Sequence, residues 1–164
     1  MPLLYLDFDG VLHHDEVYFH PRRGVYLNAP PEHRLFQHVG LLESALAPYP
    51  TLQIVLSTSW VRVFSFSGAL KRLTPPLRQR VIGATYHSAM NKSAFQAKSR
   101  CRQILDDVAR RQPSDWLALD NDANDWIPEH FSRLVLTDDV NGINQKNVLE
   151  DLQRKLARMM STTD

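Results

Sequence analysis

Leu3-Leu4-Tyr5-Leu6-Asp7-Phe8-Asp9-Gly10-Val11-Leu12 is the stretch on which the reading of the whole chain turns. Its apolar run is broken only by Asp7 and stops at Gly10, the pattern of a buried parallel strand that ends in a turn and delivers Asp7 at its carboxyl end. Asp9 lies two residues further on. A continued strand would put both acids on one face, but the adjoining Gly10 places Asp9 in the turn.

Working outward, Leu35, Val39, Leu42 and Leu46 recur at helical spacing until Pro48 and Pro50, and Leu52-Gln53-Ile54-Val55-Leu56 is a second buried strand. That makes one β-α-β unit. The stretch from His13 to Pro31, with Tyr18, Phe19, Pro21 and Gly24, reads as a hairpin-like flap. Between residues 60 and 98 the pattern predicts short helices broken at Pro75-Pro76 and a brief strand at Val81-Ile82-Gly83. Cys101, Ile104, Leu105 and Val108 mark a helix that ends before Pro113, and the strand Trp116-Leu117-Ala118-Leu119 stops at Asp120. Leu134-Val135-Leu136 is a last short strand. Leu149, Leu152, Leu156 and Met159 form the stripe of a closing helix, with 161–164 as a loose tail behind a single domain over 1–160.

Strands alternating with helices predict an α/β fold: a Rossmann-like parallel sheet with helices on both faces, a small flap and no large cap domain. Ligands of such sheets bind outside the carboxyl ends of the strands, which is where Asp7, Ser57-Thr58 and Asp120 fall. With 164 residues, 43% of them apolar, the chain has the size of one domain with a real core. Nineteen basic residues against eighteen acidic ones leave a net charge of +1, so no global field draws the protein to nucleic acid or anionic membrane. Cys101 is the single cysteine and no signal peptide is evident, so a reducing cytoplasm is the expected compartment. No apolar run approaches the ~20 residues of a membrane helix.

Two carboxylates at a strand end can divide labour, one attacking phosphorus and the other protonating the leaving oxygen and then activating water. Like charges ~4 Å apart repel by ~4 kcal/mol at an effective dielectric of ~20. A hard divalent cation with oxygen ligands relieves that repulsion, and magnesium is the expected cofactor.

The segment Leu6 to Leu12 resembles the first motif of haloacid dehalogenase-like (HAD) phosphohydrolases. The resemblance implies Asp7 as nucleophile and Asp9 as general acid/base, with the ion on the side chain of Asp7 and the backbone carbonyl of Asp9. Val55-Leu56-Ser57-Thr58-Ser59-Trp60 is similar to the second motif, whose phosphoryl-binding hydroxyl is Thr58 or, second, Ser57. The third motif's cation is Arg100, with Lys98 and Arg102 as competitors. Leu117-Ala118-Leu119-Asp120-Asn121-Asp122 resembles the fourth, implying Asp120 and Asn121 as metal residues with Asp122 in reserve. A rival pairing joins Asp120 to Asp125, but Leu119 stands where a Gly usually precedes the first Asp.

Together with the Arg80–Thr85 run, these motifs resemble the HAD domain of Swiss Army Knife RNA-repair proteins over nearly the whole chain. One departure is that Val61, not Arg, follows Trp60, and Arg62 comes next. The resemblance implies a phosphorylated substrate, a small molecule or a nucleic-acid end, met by a domain that stands without ligase or kinase segments. The competing reading is a catalytically weak, magnesium-dependent module that binds phosphate or nucleic acid. His13, His14, His20, His33 and His38 lack a compact ligand spacing with cysteine and read as surface or flap residues. Trp60 reads as packing, and Arg22-Arg23 as a solvated basic pair.

Overall fold

The computed structural model describes residues 1–162. Its centre is a five-stranded parallel sheet in the order β5-β4-β1-β6-β7, formed by β1 (Leu3–Leu6), β4 (Gln53–Leu56), β5 (Val81–Ala84), β6 (Trp116–Asp120) and β7 (Leu134–Leu136). Strands β2 (Val17–His20) and β3 (Gly24–Leu27) form the separate antiparallel hairpin expected of the flap. The helices are α1 (Val39–Leu46), α2 (Trp60–Leu70), α3 (Pro75–Arg78), α4 (Lys92–Gln96), α5 (Arg100–Arg111) and α6 (Lys146–Ser161).

Alternation along β1 divides the core in two. Leu4 and Leu6 point into a cluster with Val39, Leu42 and Leu46 of α1 and Leu152 and Leu156 of α6. Leu3 and Tyr5 point the other way, toward Cys101 and Ile104 of α5 and toward Trp116 and Trp126. Helices therefore cover both faces, as a parallel sheet requires, since each face of every strand needs apolar cover. On the second face Asp107 is buried, yet it accepts from Tyr5 Oη at 2.9 Å and pairs with Arg110 and Arg111 at 2.7 Å each. A charge taken from water is tolerated there because its oxygens are fully engaged.

Several boundaries differ from the sequence reading. The first helix begins at Val39, not near Leu35, because Phe36 adopts φ +58° and breaks any helix through it. The short α4 was not expected; its start is fixed by the Asn91 side chain, which accepts from Ala94 N at 2.8 Å. Helix α6 runs through Ser161 and ends at Thr162, so these two residues are not loose tail, while 163 and 164 lie outside the described residues. Helix α2 is kinked at Ser65, whose φ of 70° and ψ of 165° belong to a region almost reserved for glycine and cost about 1–3 kcal/mol.

Behind β7 the chain returns to the first strand's loop: Ile143 N donates to Val11 O at 2.9 Å, and Gly142 sits against the same carbonyl with φ +56°. A Cβ on Gly142 would come within 2.1 Å of Val11 O, a backbone atom that cannot swing aside. Gly24 has a similar φ of +75° but open space around it. We predict that Gly142→Ala costs about 2 kcal/mol or more and Gly24→Ala only about 1, since the second carries conformational strain alone. Urea unfolding of both variants checks this, and equal losses would remove the claimed contact.

Candidate active site

The strand register builds the site. Leu6 lies opposite Leu56 on one side and Leu119 on the other, so the next residue of each strand, Asp7, Ser57 and Asp120, falls on one rim. Asp7 N donates to Leu119 O at 3.2 Å and Ser57 N to Leu6 O at 2.8 Å, which ties the three ends together. All three residues are buried.

Arg100, the first residue of α5, joins the two acids. Its Nη1 lies 3.2 Å from Asp7 Oδ1 and 3.2 Å from Asp120 Oδ2, and it also donates to the carbonyl of Ser57. Burial pushes both carboxyls above the usual range. Asp7 is then drawn down by Arg100 and pushed up by Asp9, while Asp120 is pushed further by Asp7. Burial alone would weaken the Arg100 charge, but Asp7 and Asp120 overcome it and hold the proton more tightly than in water. Asp7 Oδ1 also accepts from Phe8 N at 2.8 Å, and Asp120 Oδ1 from Asp122 N at 2.9 Å.

The competing cations lie elsewhere. Lys98 Nζ is 2.6 Å from Asp106 and Arg102 Nε is 3.4 Å from the same residue, so both face outward. Ser99 caps α5, accepting from Arg102 N, which leaves Lys98 outside the helix and points Arg100 at the sheet. Of the two hydroxyls, Thr58 Oγ1 accepts from Trp60 N at 3.3 Å, the local capping geometry. Ser57 Oγ is buried with no partner. A buried hydroxyl without a partner is costly, so this atom is open to an incoming oxygen.

Asp9 is gripped on one oxygen. Its Oδ1 receives Trp60 Nε1–H at 2.7 Å and His13 Nε2 at 2.8 Å. The His13 Nδ1 accepts from Phe36 N at 3.0 Å, which assigns the ring proton to Nε2 and makes it a donor to Asp9. These partners correct two sequence expectations. His13, His14 and His38 are buried, not surface residues, with Phe36 over His13 and His33 against His14, and of the five histidines singled out His20 is the exposed one. His38 is held neutral at pH 7, with burial and then the His13 and His33 charges lowering it to about 4. Trp60 packs against Phe8 and Phe36 as expected, but its indole N–H also serves Asp9.

Asn121 lies over Gly10, so closely that a Cβ there would meet its Nδ2 at 2.3 Å, and that nitrogen donates to Asp139 Oδ1 at 2.9 Å. Asp122 Oδ1 accepts from Asn124 N at 2.8 Å, shaping the turn after β6. Asp125 is exposed at φ +62°. Arg62, noted in the sequence as the Arg that comes one place after Val61, has a buried Nε without a hydrogen-bond partner and its guanidinium over the Phe95 ring at 5.3 Å; burial and then the Arg100 charge loosen its proton, and Tyr86 and Asp7 offset them in part.

Among the described residues no group of three His, Cys, Asp or Glu side chains is poised as a metal cage. The donor set nonetheless fits magnesium, which is held by one or two carboxylates and keeps waters and substrate oxygens for the rest. Asp7 and Asp120 are two such carboxylates: burial and then Asp7 raise the proton affinity of Asp120, and burial with Asp9 raises that of Asp7 against the pull of Arg100. No helix is long and apolar enough to cross a membrane among the described residues. A family model described as the HAD domain in Swiss Army Knife RNA repair proteins matches residues 3–148. No curated protein and no solved structure matches the chain.

Proposed function

The chain belongs to the family of HAD domains in Swiss Army Knife RNA repair proteins, and from that premise we propose that it is a magnesium-dependent phosphomonoesterase working through an aspartyl phosphate. The observation that carries the reading is the buried pair Asp7 and Asp120 at the carboxyl rim of the sheet, bridged by Arg100, with Asp9 beside Asp7. In the proposed reaction a carboxylate oxygen of Asp7 attacks phosphorus in line as the ester oxygen leaves. Asp9 gives that oxygen a proton. Asp9 then takes a proton from water, which attacks the acyl phosphate, releasing inorganic phosphate and restoring Asp7.

Magnesium, when bound, would neutralise the acids and polarise the phosphoryl oxygens, held by Asp7, Asp120 and the Asp9 carbonyl, with Asn121 next to Asp120 in the turn after β6. Arg100 favours the ionised, attacking form of Asp7 against the burial that raises its proton affinity. Ser57 or Thr58 donates to a phosphoryl oxygen, and the unpaired Arg62 adds a second cation on the substrate side. The grip of His13 and Trp60 on one Asp9 oxygen leaves the other for proton transfer. No large cap domain covers this rim among the described residues, which suits a phosphorylated end of a larger molecule as well as a small ester.

The test is phosphate release from a panel of 3′- and 5′-phosphorylated oligonucleotides, mononucleotides and sugar phosphates, with millimolar magnesium or chelator. We predict turnover of at least one class with magnesium, loss with chelator, and magnesium-dependent attachment of beryllofluoride to Asp7. Binding of these compounds without any release would favour the phosphate-binding module instead. Turnover that is indifferent to the chelator would count against the metal assignment.

A further inference from the structure

Between the β2–β3 hairpin and the first turns of α2 lies a cleft of about 110 Å³. Its walls are mainly Phe19, Val25, Trp60 and Phe64, with Tyr18 and Ser59 as neutral polar residues on the lining, and Asp9 is its one carboxylate among the described residues. The hairpin docks through Phe19 on Phe64, ring centroids 5.8 Å apart, while Arg72 lies over the rings of Trp60 and Phe64 at 5.3 and 6.0 Å. A contact that served only to seat the hairpin would bury its aromatic residue. Phe19 is instead 58% exposed, and Val63 across the cleft 60%. Two apolar side chains left in water on either side of a cleft next to Asp9 leave room for an apolar group between them.

What binds follows from chemistry. Asp9, as the proposed acid, must come within about 3 Å of the departing oxygen, and Oδ1 is committed to Trp60 and His13. The carbon skeleton on that oxygen therefore continues on the Asp9 side of the phosphate, where the cleft is. Among the described residues no cation is on the cleft's lining, and Arg72 is engaged with the rings of Trp60 and Phe64, so the cleft does not suit a second phosphate. Its volume is far below the roughly 300 Å³ of a pocket for a drug-sized ligand. It equals about three or four waters, at ~30 Å³ each, which is room for one flat ring. Ring faces and branched aliphatic side chains offer that ring stacking without directional hydrogen bonds.

We propose that this cleft is the leaving-group subsite and that the substrate carries an aromatic ring close to its ester oxygen. The inference rests on the phosphohydrolase reading and adds its substrate class. Benzyl phosphate and propyl phosphate test it, because both are primary alkyl esters and differ chiefly in the ring. Stacking one ring favours benzyl phosphate about tenfold in kcat/KM. Phe19→Ala, at an exposed position, brings that ratio down toward one, whereas Phe131→Ala, an exposed residue outside the cleft, keeps the wild-type ratio. In an NMR titration benzyl alcohol shifts the Trp60 indole N–H signal and propanol does not.

Hydrolysis of both esters at equal efficiency, or a ratio untouched by Phe19→Ala, overturns the subsite and leaves the phosphohydrolase standing. If neither ester is hydrolysed, the catalytic reading is what suffers, and the benzyl alcohol titration decides the subsite: an unmoved Trp60 signal overturns it, a shifted one supports it.

Discussion

Asp7→Asn is expected to lower kcat for phosphate release by about four orders of magnitude or more, the scale of losing a nucleophile, while the protein stays folded. The amide matches the carboxylate in shape and still accepts from Phe8 N, but it cannot form the acyl phosphate. Stability should move the opposite way. Burial raises the proton affinity of Asp7 above its ordinary value of 3.8, so the folded protein binds this proton more tightly than the unfolded chain does. The stabilising share of such a group is complete below that value and is lost as pH rises above it through the raised value of the folded protein. In chelator at neutral pH the variant is therefore expected to melt at or above wild type, and near pH 3.8 the difference should close. With millimolar magnesium the order reverses, because the ion binds only the native arrangement and wild type has the fuller ligand set. Melting curves with chelator and with magnesium, at two pH values, read all of this. An equal gain from magnesium in wild type, Asp7→Asn and Asp120→Asn would mean that these acids do not hold the ion.

Arg100→Met carries the second large effect. The side chain is 16% exposed and is the cation nearest two buried acids, so its removal leaves both without their partner. Breaking such a buried pair costs about 3–5 kcal/mol, which for a domain of this size lowers the melting temperature by roughly 10 °C or more. The cost is that of ionised Asp7 and Asp120, so it should shrink as pH falls toward 3.8 and both take up protons. Adding Asp120→Asn to Arg100→Met should recover part of the loss, because one of the two stranded charges is gone. A melting temperature within about 2 °C of wild type for Arg100→Met would show that water, not Arg100, solvates these carboxylates. Activity of Arg100→Met should also fall about 10²–10³-fold, the loss that follows removal of one donor at a developing charge.

Much of this was legible without coordinates. An apolar run ending at Asp7-Phe8-Asp9-Gly10 and another ending at Leu119-Asp120 could be only interior strands, since each must bury both faces and each stops at a charge. Parallel strands joined by helices then bring their carboxyl ends to one rim, so the meeting of Asp7, Ser57 and Asp120 follows from local pattern and connectivity alone. The hairpin flap was read from pattern too, whereas Arg100 came forward only through the resemblance to the family's third motif, with Lys98 and Arg102 beside it.

What the sequence left open concerns partners drawn from distant parts of the chain. Lys98, Arg100 and Arg102 are alike in composition and spacing. Only the position of α5 on the sheet, with Ser99 as its cap, turns Arg100 onto the acids and the other two onto Asp106. His13 and Trp60 are separated by 47 positions, yet both close on one oxygen of Asp9 because the flap and the start of α2 pack over the first loop. Arg62 likewise reaches the electrostatic reach of Asp7 only through the path of α2. Periodicity and burial are properties of a short window, so the sequence determined the α/β class, the strand ends and the acids that meet there. Side-chain pairing depends on how separate elements are packed against one another, so the tertiary structure alone decided which cation bridges those acids, what grips Asp9, and where an aromatic cleft opens beside it.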